Sequence, residues 1–446
     1  MRVIEWDPED VPAYSKGHEG PCIKAHYDLT EIHGEREYLR HGFLVDVDGD
    51  GELELITRTM NANRARAIRT DDASTVWISP DIVSYPASTQ ISDMAVGDLD
   101  EDGNPEVLLA SYEGDVICLD ATDGSLKWHR KLDWLINNSM LKASKITPGP
   151  GKSIALTVGQ TDRRTGGSRP RVNYLPNPSL LVLDSAGDEE IFVENYAADN
   201  SSGHYTWTYD IDNDGFCEIA CCGHQELVWF DNDGSRLFVC PSEGEGGHPD
   251  DVLAYNWEPT LPGREIIYLN GTIGVRIFSC DGKPMKEADL SEFSSHLQLL
   301  MVVPRDNEPA LVGCNIRARD SKLLFMDHDL SVEWALQLPP DLLPPALIDW
   351  SGDGRWEIAA GGFGRGADNQ GHVNECSMQV MTQDGAPLLW HRWDGCGQAT
   401  ILDIADIDAD GNPEMVVSVG SKDGPEGRWS LPDGAHEHLY IIGPAE

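Results

Sequence analysis

Five copies of one acidic loop are spaced along the chain, and they constrain the fold more than any other feature. They read DVDGDGELE (Asp46 to Glu54), DLDEDGNPE (Asp98 to Glu106), DIDNDGFCE (Asp210 to Glu218), DWSGDGRWE (Asp349 to Glu357) and DIDADGNPE (Asp406 to Glu414). Each runs directly into an apolar, strand-like segment such as LELIT, VLLAS or MVVSV. Successive starts lie close to whole multiples of about 50 residues, a period typical of repeated β-units. Degenerate copies without the aspartates fill the gaps, as in KITPGPGKSIALTVG, YNWEPTLPGREIIYLNG and VVPRDNEPALVGC. A second marker, an apolar strand meeting an Asp-Gly-type turn, recurs in VICLDATDGSLKWH, LVWFDNDGSRLF, VRIFSCDGKPMK and MQVMTQDGAPLLWH. Asx-Gly between apolar runs signals a β-hairpin.

Together the markers give eight units, so the chain reads as all-β, a single β-propeller of eight blades over residues 1–446. Its end, HLYIIG, is a third strand, whereas its start, MRVIEW, is a lone strand. The expectation is that the strand around Val3 to Trp6 supplies the outer strand of the last blade and closes the ring.

The formal charge of −43 argues against nucleic acid and anionic membranes as partners. The start lacks the basic and apolar regions of a signal peptide. The ten cysteines fall at irregular positions, which suits a reducing compartment better than a disulfide framework. The expected location is therefore cytoplasmic.

The spacing D-x-D-x-D-G-x-x-E offers oxygen ligands at positions 1, 3, 5 and 9, with a carbonyl at 7. That is the chemistry of a hard cation such as Ca²⁺. The expected ligands are Asp46, Asp48, Asp50 and Glu54; Asp98, Asp100, Asp102 and Glu106; Asp210, Asp212, Asp214 and Glu218; and Asp406, Asp408, Asp410 and Glu414. The same aspartates also suit a tight turn without any ion. The loops resemble the calcium loops of FG-GAP and VCBS propellers, a resemblance that runs through all the repeats and implies a structural role for the metal.

Within a blade the innermost strand A leads into the acidic loop, and strand B returns to the opposite face. Histidines recur where A strands begin: His41, His204, His248 and His296. His224 follows in the B–C loop of the His204 blade, one strand up and one strand back. A single such histidine most simply bonds a neighbouring backbone group; four at equivalent positions, with a fifth beside one of them, point to a site. Arginines concentrate in the same loops, among them Arg58, Arg171, Arg317 and Arg319. Arginine grips a carboxylate through a planar fork. Tyr205, Asn63 and Asn270 complete the candidate substrate-binding set, and Tyr112, Trp207 and Trp257 are further aromatics that could stack on sugar rings.

The blade GHYTWTYDIDNDGFCEIACCGHQELVWFDNDG resembles those of the propeller polysaccharide lyases, ulvan and rhamnose–glucuronate lyases above all, with the eight-bladed rhamnogalacturonan lyases as architectural cousins. That resemblance implies β-elimination of a uronate-containing poly- or oligosaccharide. It assigns His204 and His224 as the acid–base pair, a tyrosine drawn from Tyr174, Tyr205 and Tyr268 as proton donor or acceptor, and an arginine to neutralise the carboxylate. Histidine titrates near working pH, as this chemistry needs. Two other readings stay open. One is a non-enzymatic FG-GAP-type propeller that binds a glycan or protein. The other is a quinoprotein, whose blade signature CLDATDGSLKWH resembles in a single blade.

Overall fold

The computed structural model describes residues 2–4, 6–34, 39–59, 64–80, 91–111, 113–136, 141–159, 175–197, 202–203, 205–223, 226–241, 249–270, 274–293, 299–306, 308–314, 322–337, 345–362, 375–394, 398–420 and 436–445. The fold is all-β, an eight-bladed β-propeller. Its blades span residues 39–78, 91–131, 135–193, 206–241, 249–289, 299–337, 346–394 and 398–442. In each of the first seven the four strands A to D follow one another in the sheet, each antiparallel to the next wherever the pairing is described. Among the described residues no helix is long and apolar enough to cross a membrane.

The chain divides into two compact units. One comprises residues 1–61, 66–76 and 290–446, the other 62–65 and 77–289. In both, strands B and C are buried on both faces: Glu106–Ser111, Ile154–Gly159 and Glu357–Gly362 are buried throughout. Sheets stacked face to face require this, and it explains why these segments read as continuous apolar runs rather than alternating ones. Strand D is the wet edge, as in Leu126–Lys131, where no residue is fully buried.

Blades are fastened to their neighbours by a repeated device. Trp77 donates its indole N–H to the Ala121 carbonyl at 2.8 Å, Trp128 to Ser185 at 2.9 Å, and Trp334 to Gln383 at 2.9 Å. Each acceptor lies in the C–D turn of the following blade. The turn glycine is needed twice over. Gly124 has φ +71°, and a Cβ there would lie 2.5 Å from the Trp77 ring.

The N-terminal segment corrects one expectation. Strand β1 (Arg2–Ile4) does not close the last blade; it runs parallel to Val332–Gln337 as a fifth strand of the sixth. Strand β2 (Ala13–Lys16) runs parallel to the outer strand of the seventh. Strand β3 (Ile23–Asp28) closes the eighth, antiparallel to Glu437–Ile442. Packing explains the placement of β1, because Ile4 is buried against Trp334, Phe325 and Met381. Thus residues 2–4 and 6–28 form a strap over three successive blades, and helix α1 (Leu29–His33) follows it.

Candidate functional site: acidic loops and a histidine cluster

All five acidic loops share one hydrogen-bond scheme. The glutamate at position 9 opens strand B and is buried: Glu54, Glu106, Glu218, Glu357 and Glu414. Its Oε2 accepts the backbone N–H of position 2, from Val47, Leu99, Ile211, Trp350 and Ile407, at 2.6–3.1 Å. The aspartate at position 1 accepts the N–H of the glycine at position 6, in Gly51, Gly103, Gly215, Gly354 and Gly411. The aspartate at position 5 accepts the N–H of position 7, from Glu52, Asn104, Phe216, Arg355 and Asn412. The backbone therefore folds the loop without help, which satisfies the turn-forming alternative.

Other oxygens are left over. Oδ1 of Asp98, Asp210 and Asp349 is buried without a hydrogen-bond partner. Ligand atoms of Asp46, Asp48 and Asp50, of Asp98, Asp100 and Glu106, and of Asp210, Asp212 and Glu218 converge within 4.8 Å. Such a set of convergent carboxylate oxygens fits a hard divalent cation. The copy at Asp349 carries Ser351 at position 3 and so offers one carboxylate fewer.

Arg69 reaches the rim of the Asp46 loop, 4.0 Å from Asp48 and 3.9 Å from Glu52, and two loops hold a lysine more closely. Lys127 Nζ lies 2.8 Å from Asp100 and 2.6 Å from Glu106. Lys24 Nζ lies 3.0 Å from Asp408, 3.2 Å from Asp410 and 2.8 Å from Glu414. Burial opposes the charge on both lysines, but these hydrogen bonds outweigh it and raise both above the ordinary lysine value. The Asp210 loop differs. No ion pair reaches Glu218 among the described residues, and burial, with Asp212 and Asp214 nearby, pushes its carboxyl up to about 7.

The residues expected at the opposite loops fare unevenly. His204, His224, Tyr174, Asn63, Arg171, His248, His296, Arg317 and Arg319 lie outside the described residues, as does Tyr112. His41 is half-buried on strand Leu39–Val45, its carbonyl accepting the Thr57 hydroxyl at 2.8 Å. Arg58 is buried within strand Glu54–Thr59. Asn270 ends strand Glu265–Asn270. Tyr205 is half-buried, and its carbonyl accepts the Cys222 N–H at 2.9 Å, closing the ladder between strands Thr206–Tyr209 and Glu218–Cys222. Tyr268 is fully buried; its hydroxyl donates to the Pro241 carbonyl at 2.6 Å, and burial pushes its pKa up to about 12. A phenol held this way is not poised to exchange a proton with a glycan. Trp207 and Trp257 are likewise buried in the core rather than presented to a sugar.

A cluster that the sequence reading passed over lies on the eighth blade. His18 follows β2, His26 lies in β3, and His436 and His438 stand at the start of strand Glu437–Ile442. His26 Nε2 lies 3.1 Å from His438 Nδ1, and His18 Nδ1 lies 2.5 Å from the Tyr440 hydroxyl. His436 Nδ1 meets Asp28 Oδ2 at 2.5 Å. The register that pairs His26 with Tyr440 and Asp28 with His438 builds the group. No sequence signal joins these residues, because about 400 positions separate them.

Comparison with known proteins agrees with this architecture. Residues 46–109, which hold the first two acidic loops, match the family described as FG-GAP-like repeat. No curated protein sequence matches the chain. Among solved structures, Saccharomyces cerevisiae Sqt1 is similar with a TM-score of 0.60 at 10% identity, covering 92% of this chain and 100% of that one. Quinohemoprotein alcohol dehydrogenase from Comamonas testosteroni gives 0.57 at 10% identity, with 95% and 77% covered. The computationally designed Ika8 protein gives 0.54 at 11% identity, with 92% and 97% covered. At such identities the likeness is one of fold alone.

Proposed function

We propose that the chain is a polysaccharide lyase that cleaves a uronate-containing glycan by β-elimination, with its acid–base pair on the fourth blade. The observation that carries this reading is the bond from Cys222 N–H to the Tyr205 carbonyl. It closes the described end of the ladder at Tyr205 and Cys222, the chain positions near which His204 and His224 fall in the sequence. Elimination requires the C5 proton to be made acidic, removed, and the O4 leaving group protonated. An imidazole pair can exchange both protons near neutral pH. Tyr174 and Tyr205 remain the candidates for a proton donor, and Arg171, Arg317 and Arg319 for a carboxylate clamp.

The acidic loops have a structural part in this proposal. Ca²⁺, where bound, would neutralise the converging carboxylates; the strands themselves are set by the glutamate-to-backbone bonds. The acidic surface favours neither nucleic acid nor an anionic membrane as partner. The test is ultraviolet detection of the conjugated double bond formed from a panel of uronate glycans. His204→Ala and His224→Ala should each lower turnover by roughly 10²- to 10⁴-fold with unchanged melting. Near-wild-type rates in both variants would overturn the assignment.

A second reading, a non-enzymatic propeller that binds a glycan or protein, draws support from Tyr268. With that hydroxyl committed to Pro241, one of the three tyrosines offered for proton transfer is removed. Binding to the same glycan panel without new absorbance would favour this reading.

A further inference from the structure

The histidine group on the eighth blade is independent of that reading. One nitrogen from each of His18, His26 and His438 lies within 4.8 Å of the other two. The His18 ring stacks on His26 at 4.7 Å and lies 4.9 Å from His438, and the His26 and His438 rings are 5.1 Å apart. We propose that these three imidazoles form a centre for a divalent transition metal of the zinc type, which locks the N-terminal strap to the last blade.

The donor set decides the class of metal. Three imidazoles with no carboxylate among them suit zinc and its neighbours and are a poor match for calcium. Three histidines with a fourth, water-filled position is an established zinc arrangement. Two nitrogens on one tetrahedral ion, each at about 2.0–2.1 Å, stand roughly 3.3–3.4 Å apart. The His26–His438 pair is at 3.1 Å, so an ion can replace their hydrogen bond with little movement.

The surroundings are built to match. His26 and His438 are both half-buried, within the strand pair that β3 forms with Glu437–Ile442. The fully buried Tyr440 bonds His18 Nδ1 and fixes that ring, the kind of outer contact that orients a metal-binding histidine. Asp28, opposite His438 in register, brings a negative charge beside the group. The three ligands come from the connection after β2, from β3 and from strand Glu437–Ile442, so one ion would bind three chain segments together.

The experiment uses the full chain stripped of metal and titrated with Co²⁺, followed by Zn²⁺ displacement, in excess Ca²⁺ to occupy the acidic loops. The expected result is one equivalent of Co²⁺ with the intense visible band of a tetrahedral site, displaced by Zn²⁺. Zn²⁺ should also raise the melting temperature. His18→Ala also removes the partner of the Tyr440 hydroxyl, so its metal-free melting serves as its own baseline. Its metal affinity should fall by at least roughly 10- to 100-fold, and the thermal gain from Zn²⁺ should vanish. His438→Gln should give the same spectroscopic loss. Absence of the tetrahedral band, or binding unaltered in His18→Ala and His438→Gln, would overturn the proposal.

Discussion

The ammonium of Lys127 sits 2.6 Å from the buried carboxylate of Glu106, inside the acidic loop of its own blade. Lys24 stands in the same relation to Glu414 at 2.8 Å. Both lysines occupy one structural slot, the residue skipped in register where strand D bulges against strand C. The skip falls at Lys127 between the pairs Leu119–Leu126 and Cys118–Trp128, and at Lys24 between Ile442–Ile23 and Ile441–Ala25. A bulge re-aims the side chain it releases, here toward the mouth of the loop.

Two of the loops thus carry a tethered lysine that competes with a free cation for the same oxygens. Lys127→Met should leave Asp98, Asp100, Asp102 and Glu106 uncompensated. The variant should melt lower than wild type in chelator and regain more stability when Ca²⁺ is added. Calorimetric titration should show Ca²⁺ uptake by this loop strengthened. An unchanged calcium response would mean that the ammonium and the ion do not share the site.

Gly124 makes a prediction about the frame. Its φ of +71° and the 2.5 Å approach of Trp77 to any Cβ leave no room for alanine. Gly124→Ala should cost roughly 1–3 kcal/mol, read as a lower midpoint in denaturant with an unchanged slope. An equal loss in a Trp77→Leu background would show that the ring contact is irrelevant.

The sequence announced the eight blades because their turn residues recur at fixed spacing and each has a local reason to be there. The buried glutamate at position 9 belongs to the same local logic. What it hid are contacts between distant strands. Lys24 and Glu414 meet only because β3 closes the blade of the last strands; IKAHYD alternates as a strand should, but nothing local says that its partner is Glu437–Ile442, about 400 residues away. The His18, His26 and His438 group was invisible for the same reason. Tyr268 and Trp207 were misjudged as available to substrate because strands covered on both faces show no period that separates an inward side from an outward one, and Trp257 because it lies in the loop after Pro249–Tyr255, its backbone N–H bonded to Glu265.

The strap carries a pH response. His391 is buried, with Nδ1 2.6 Å from the Ser15 hydroxyl and Nε2 2.9 Å from the Gly17 carbonyl. Burial holds its pKa below the usual 6.5. A histidine depressed in the folded state binds fewer protons there than in the unfolded chain. Its contribution is therefore complete above about 6.5 and is lost as pH falls below that value. Melting temperature of the metal-free protein should drop between pH 7 and pH 5, and the drop should be shallower in His391→Gln. A flat profile in the wild type would contradict this.

The fourth blade offers the converse of the lysine experiment. Its loop, Asp210 to Glu218, has no ion pair on Glu218 among the described residues. Its bulge slot, between the pairs Phe230–Arg236 and Trp229–Phe238, is filled by Leu237, which is 43% exposed. Leu237→Lys should place an ammonium over Asp212 and Glu218, as Lys127 does over Asp100 and Glu106. Little apolar burial is lost, and the gain should be about 1 kcal/mol at neutral pH. Glu218 sets the pH window. Its folded pKa of about 7 exceeds the ordinary 4.5, so ionising it costs stability as pH rises between those values, and below 4.5 the cost is absent. The thermal advantage of Leu237→Lys should therefore be full above pH 7 and disappear near pH 4. Calcium should stabilise this variant less than wild type, since the loop then holds its own cation. A gain independent of pH, together with an unchanged calcium response, would show that the new lysine points to solvent and that the bulge does not dictate its aim.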